Sequence, residues 1–152
     1  MNDVASKCVA DLKTHLAQLI AAGKVFHVYS EEELMDKTKG ISFPAVGVVY
    51  EGMRAVNEGT SGGTRESHKL GVSAELVASI MLIQRPDNIS HADTKTPTLN
   101  LLDDIRQEIM GSRSPSSHFW KFVVEASANE KNGVVIWLQR WSTPVQLTPV
   151  AR

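Results

Sequence analysis

The segment from Phe119 to Trp141 constrains the fold of this chain more than any other. Its sequence, FWKFVVEASANEKNGVVIWLQRW, has two runs rich in β-branched and aromatic residues around a polar turn, and it holds all three tryptophans. Such runs predict a pair of long strands. We therefore expect this part of the chain to complete a β-sheet. The segment contains no nucleophile–base pair and no cluster of metal ligands.

Size and composition predict a single globular domain spanning residues 1–152. The chain has 42% apolar and 22% charged residues and a net charge of −1, so it has no global basic field for holding nucleic acid. The single cysteine, Cys8, excludes an internal disulfide and is expected in the core. No apolar run approaches the length of a membrane span, and the N-terminus lacks the order of a signal peptide. We expect a protein made in the cytoplasm.

Hydrophobic periodicity predicts two main helices and several strands. The first helix follows an apolar stripe that ends before Gly23, and a second stripe ends before Gly111. Ser30 and Glu33 have the spacing of a capping box, which predicts a brief helix. The stripes consist of Val4, Cys8, Val9, Leu12, Leu16, Leu19 and Ile20, and of Leu101, Leu102, Ile105 and Ile109.

The predicted strands are a short run at Val25–Tyr29, the FPAVGVVY run, the alternating run Val72–Ile83 and the C-terminal pair. One face of Val72–Ile83 is apolar throughout, whereas the other is polar at one end, so we expect partial cover there by a helix or another subunit. The predicted fold class is α+β: an antiparallel or mixed sheet of about four to five strands with two main helices packed on one face.

Two segments are predicted to lie outside this framework. The glycine-rich stretch 51–71 is expected to form a long flexible loop or arm, with a strand extension around Met53–Val56 as an option. Its GTSGG sequence lacks the spacing of a phosphate-binding loop. Residues 142–152, which contain two prolines, are expected to leave the fold as an extended tail.

The sequence indicates no catalytic, cofactor or metal site. The histidines lack a second ligand at the close spacing of a zinc site. The carboxylates that are adjacent along predicted helices point in different directions and do not converge on one substrate. We therefore expect a protein that is not an enzyme and that binds no cofactor. The residues considered are His15, His27, His68, His91, His118, Glu31, Glu32, Glu33, Asp103 and Asp104.

The order of segments resembles the tail terminator proteins of long-tailed bacteriophages, especially the Mu-like group. The resemblance depends on the amphipathic first helix, the FPAVGVVYEG strand with its glycine-rich loop, the ELVASIMLIQR strand, and the LLDDIRQEIMG helix leading into the C-terminal strand pair. It covers most of the chain in order and spacing, although each motif alone is generic.

This resemblance implies a structural virion protein of the tail and neck, assembled in the host cytoplasm. Such proteins form a ring, expected to be a hexamer, that caps the tail-tube protein, ends tail polymerisation and offers a joining surface to the head-neck or connector protein. In contractile tails they also meet the tail sheath protein. DNA passes through such a ring without specific binding, and no membrane is involved.

Ring closure requires a heterologous interface, and a long arm or strand edge can provide it. We predict an arm at Arg54–Lys69 whose rim charges are Arg54, Arg65, Glu66 and Lys69. A solvated loop is the alternative. Trp137 is expected in the core, whereas Trp141 is either a core residue or an interface anchor.

Two other functions fit the same sequence. One is a neck protein that acts in head closure or tail completion, since such proteins are also small and form rings. The other, of a different class, is a small α/β enzyme or ligand-binding domain with a lid at 51–71. The enzyme or ligand-binding hypothesis requires an apolar pocket lined by at least two ionisable groups.

Overall fold

The computed structural model describes residues 3–35, 43–56, 71–84, 98–131 and 134–148. The described chain forms one five-stranded sheet in the order β1-β2-β3-β5-β4. The first two strands are parallel, and the other neighbours are antiparallel. The predicted α+β fold is confirmed. The elements are α1 (Val4–Ala21), β1 (Val28–Tyr29), α2 (Glu31–Met35), β2 (Ala45–Ala55), β3 (Val72–Gln84), α3 (Thr98–Ile109), β4 (Lys121–Lys131) and β5 (Val134–Leu147).

Helices α1 and α3 cover one face of the sheet and build the main core. The predicted stripe of α3 is buried at every position, and α1 buries Cys8, Leu12, Leu16 and Leu19. Strand β3 contributes alternate residues to the same core, since a strand directs successive side chains to opposite faces. The buried residues of β3 on this face are Ala74, Leu76, Ala78, Ile80 and Leu82.

Local signals explain the ends of the first two helices. Helix α1 ends at Ala21, and Gly23 follows with a φ of 73°, a conformation that glycine adopts without strain. Helix α2 begins with the predicted capping box. The amide of Glu33 donates to Ser30 Oγ over 3.2 Å, and the amide of Ser30 donates to Glu33 Oε1 over 3.1 Å.

Among the described residues, α2 is the element that covers the second face of the sheet, and it does so at one end. Leu34 of α2 lies directly over Gly47 of β2, where any larger residue would collide with it. Tyr29, Ala45 and Ile83 form a small buried cluster beneath this helix. We call the remainder of this surface, opposite α1 and α3, the open face. The predicted partial cover of this face is thus provided by a helix of the same chain.

The structure corrects two predicted boundaries. Residues 51–55 belong to β2 and pair with β3, so the predicted option of a strand extension is confirmed as far as Ala55, and the loop predicted at 51–71 begins later. Residues 57–70 lie outside the described residues. Residues 142–147 belong to β5 rather than to a tail. Pro144 is tolerated in β5 because the pairing with β4 stops at Ser142. There its carbonyl accepts a 2.6 Å hydrogen bond from Ser116 Oγ.

Candidate interaction surface

The open face carries an ion pair between two strands that are not neighbours. Arg140 of β5 donates from Nε to Glu51 Oε2 over 2.7 Å and from Nη2 to Oε1 over 3.0 Å, and Ser79 donates to Oε2 as well. The Arg140 hydrogen bonds are the main cause that lowers the pKa of Glu51, and the same contact raises the pKa of Arg140. This pair crosses β3 and fixes the polar end of the open face.

A groove of about 410 Å³ lies beside this ion pair. Its walls include a second pair, Arg54 Nη2 to Glu75 Oε2 at 3.8 Å, and Ser142 Oγ donates to Glu75 Oε1 over 2.7 Å. Val77 and Val123 add apolar surface. The four charged groups of the groove are paired with one another, so they do not converge as free groups on a common ligand.

The start of β4 exposes four large apolar side chains close together in sequence. Phe119 and Val123 are 50% exposed, Phe122 is 42% exposed and Val124 is 41% exposed. The strand lies at the end of the sheet, and its register shifts between Phe122 and Val124. Exposed apolar side chains grouped at one edge strand are a candidate site of association, because exposing them to water is unfavourable.

Buried polar contacts support this strand from behind. Gln139 of β5 donates from Nε2 to the Leu102 carbonyl over 2.9 Å and to Glu125 Oε1 over 2.8 Å. Trp141 donates from Nε1 to Gln139 Oε1 over 3.2 Å, and its ring meets Phe122 edge to face at 5.3 Å. The exposed residues of β4 are therefore held on a fixed frame.

The predicted interface residues have different positions in the structure. Arg54 lies on β2 with its side chain 80% exposed, beside Glu75. Arg65, Glu66 and Lys69 lie outside the described residues. Trp141 is fully buried among core residues. A side chain with no exposed surface makes no contact with a partner, so the interface option for Trp141 is wrong and the core option is right.

Sequence reasoning missed Phe119, Phe122, Val123 and Val124 as surface residues. Aromatic and β-branched residues in a long strand usually pack against other elements, so their type alone does not predict exposure. One signal was present: Phe122, Val123 and Val124 are consecutive, whereas a strand with one solvated face alternates apolar and polar residues. A run that breaks this alternation at a sheet edge indicates either cover by another element or an exposed contact surface.

The described residues hold neither a metal-binding cluster nor a membrane-spanning helix. They contain no group of three or more His, Cys, Asp or Glu side chains placed to hold a metal ion. None of their helices is long and apolar enough to cross a membrane. Comparison of the chain with protein-family profiles and with curated proteins gave no match.

Proposed function

We propose that the chain is a structural protein of a phage virion, of the tail terminator type. In this role it associates into a ring, expected to be a hexamer, that caps the tail tube, ends tube polymerisation and presents a surface to the head-neck or connector protein. In contractile tails the ring also meets the sheath. The observation that carries the proposal is the run of exposed apolar residues at the start of β4.

Three features support this role. The structure has the α+β fold class predicted from the sequence, with two helices on one face of the sheet, and the resemblance implies a small domain of helices and strands for the ring subunit. The β4 run is backed by buried hydrogen bonds, so its shape is preformed for contact. A near-neutral chain, with a net charge of −1, suits a ring through which DNA passes without binding.

Polymerisation of the cognate tail-tube protein tests the role directly. Adding the chain at a substoichiometric level is expected to shorten the tubes, measured by negative-stain electron microscopy, with a ring at one tube end. The double variant Val123→Ser/Val124→Ser removes exposed apolar surface. It is expected not to cap, so the tubes should be as long as those grown without the chain. Leu99→Ser, which changes a residue 67% exposed on α3, is the matched control and should cap as the wild type does.

The same experiment separates the neck alternative. Binding of the chain to purified connector complexes without any effect on tube length would replace the terminator role with head closure. Unchanged tube length together with no binding to either assembly would reject both virion roles.

A second candidate, ligand binding, is favoured by the groove of about 410 Å³ on the open face. Its charged residues already satisfy each other, which reduces their ability to recognise a small molecule. A thermal-shift screen of anionic and zwitterionic metabolites tests this candidate. An increase in Tm that is lost in Arg54→Ala would support it, because Arg54 is the most exposed charge of the groove.

A further inference from the structure

We propose that copies of this chain join head to tail, with the start of β4 on one copy seated in a groove at the opposite edge of the sheet of the next copy. The inference rests on the proposed function, since it names the contact that joins neighbouring subunits of the ring. Two surfaces that lie far apart on one subunit carry it.

The first surface is the β4 knob, which we define as Lys121 to Val124. The register of β4 shifts between Phe122 and Val124, so the strand bulges at this point. A bulge disfavours regular pairing with another strand and projects side chains instead. Lys121 is exposed and forms no ion pair with any described residue. The knob is thus apolar and carries one cation that no described side chain neutralises.

The second surface is the α1–β2 groove, of about 420 Å³. Ala5 and Val9 of α1 form one apolar wall, and Tyr50 of β2 lines the other side together with Val48, which is buried at 1% exposure. Strand β1 stops pairing with β2 at Gly47, so no described strand covers the outer edge of β2 beyond that residue. The groove therefore offers apolar surface at the edge of the sheet opposite to β4.

The charges of the two surfaces are complementary. Glu31 and Glu32 line the groove, are exposed, and form no ion pair with any described residue. Lys13 also lines the groove, but its Nζ lies 3.9 Å from Glu33 Oε1. Counting the described residues alone, the groove thus carries unpaired negative charge and the knob carries unpaired positive charge. Opposite charges around an apolar contact favour the contact between knob and groove. A contact between two knobs would instead bring two copies of Lys121 together.

The position of the two surfaces determines the type of assembly. The strand order is β1-β2-β3-β5-β4, so the knob and the groove lie at opposite edges of the sheet. A contact between different surfaces of identical subunits is heterologous, and it forms a ring when the rotation between neighbouring subunits closes. A two-fold dimer would instead require one surface to contact itself.

Charge reversal tests the contact by sedimentation velocity at low ionic strength. Lys121→Glu and the double variant Glu31→Lys/Glu32→Lys are each expected to weaken self-association about tenfold. Combining all three substitutions should restore it. Glu108→Lys, which alters a charge on α3 outside both surfaces, should have no effect. Unchanged association in Lys121→Glu, or no restoration in the combined variant, would overturn the inference.

A cross-linking measurement covers the case in which the free chain is monomeric. A variant with Lys121→Cys and Glu32→Cys should form disulfide-linked chains when it is bound at tube ends, and neither single variant should. Cys8 does not compete, because it is buried and burial raises the pKa of its thiol to about 11. The absence of linked chains on capped tubes would reject the knob–groove contact and leave the terminator role standing. Disulfide-linked chains that form in solution, without capping of tubes, would reject the terminator role and support the knob–groove contact.

Discussion

Arg140 binds both carboxylate oxygens of Glu51 across the open face, with one hydrogen bond of 2.7 Å and one of 3.0 Å. Because this contact lowers the pKa of Glu51, removing it in Arg140→Leu should raise that pKa. A carbon-detected NMR titration of the Glu51 carboxyl group measures the shift. Arg54→Leu is the matched control, since Arg54 contacts Glu75 instead, and it should leave the Glu51 titration in place. An unchanged Glu51 pKa in Arg140→Leu would contradict the two-point contact.

Trp141 is expected to be a major contributor to stability. It is fully buried, packs against Phe122 and donates a hydrogen bond to Gln139. Trp141→Ala should lower the free energy of unfolding by about 3–5 kcal/mol, as truncation of large core aromatics does. Urea unfolding followed by circular dichroism measures the change. Leu99→Ala, at a position 67% exposed, should change stability by less than about 0.5 kcal/mol. An equal decrease in the free energy of unfolding in Trp141→Ala and Leu99→Ala would contradict the core position of Trp141.

Gly71 is expected to tolerate no side chain. Its φ is 124°, and an added Cβ would collide with the carbonyl oxygen of Leu147, a backbone atom of β5. Gly71→Ala should therefore cost about 2 kcal/mol or more, because strain and a backbone clash act together. The measurement is the urea midpoint relative to that of the wild type.

Gly47 offers the informative contrast. An added Cβ there would meet the Leu34 side chain, which can move, so Gly47→Ala should cost about 1 kcal/mol. In a Leu34→Ala background this cost should disappear, since the colliding atoms are gone. A double-mutant cycle measures the coupling. An undiminished cost in that background would show that Leu34 is not the obstacle.

Ionisation of Glu33 is expected to make the free energy of unfolding depend on pH. Backbone and side-chain hydrogen bonds from Ser30 and His27 lower its pKa from 4.5 to about 2. A depressed carboxyl pKa stabilises the fold above the unfolded value, and this contribution is lost as pH falls from about 4.5 to about 2. Because the side chain is partly solvated, the contribution should be about 1 kcal/mol.

Glu33→Gln isolates this charge, since glutamine also serves in a capping box. The variant should be less stable than the wild type at pH 7, and the difference should vanish near pH 2. Unfolding experiments at a series of pH values measure it. Glu32→Gln, at the adjacent exposed position, should follow the wild type throughout. A difference in the free energy of unfolding between Glu33→Gln and the wild type that persists at pH 2 would argue against a charge effect.

The features that the sequence predicted correctly depend on local periodicity. The stripes of α1 and α3 and the alternation of β3 identify their buried faces because spacing alone assigns a side chain to a face. The capping box of Ser30 and Glu33 was found for the same reason. The position of β5 between β3 and β4 depends on pairing between distant segments, which no local pattern encodes.

The errors have related physical causes. Glycines favour a loop from residue 51 and Pro144 favours a tail, yet both segments pair with β3, whose backbone N–H and C=O groups provide the partners. The exposed apolar run was missed because exposure of Phe122 and Val124 follows from the edge position of β4, a property of the whole sheet. Sequence favoured charged loop residues for that role, and Arg54 is the one that the structure describes.

The interior position of β5 has a consequence for biosynthesis. Every other described strand precedes β5 in the chain, yet β5 separates β3 from β4. While the ribosome is still translating this region, one edge of β3 lacks its neighbour and β4 has nothing to pair with. Apolar residues such as Leu76 and Ile80 then remain accessible to chaperones or to other nascent chains. The sheet cannot be completed before Leu147 has emerged, which links completion of the sheet to the synthesis of β5.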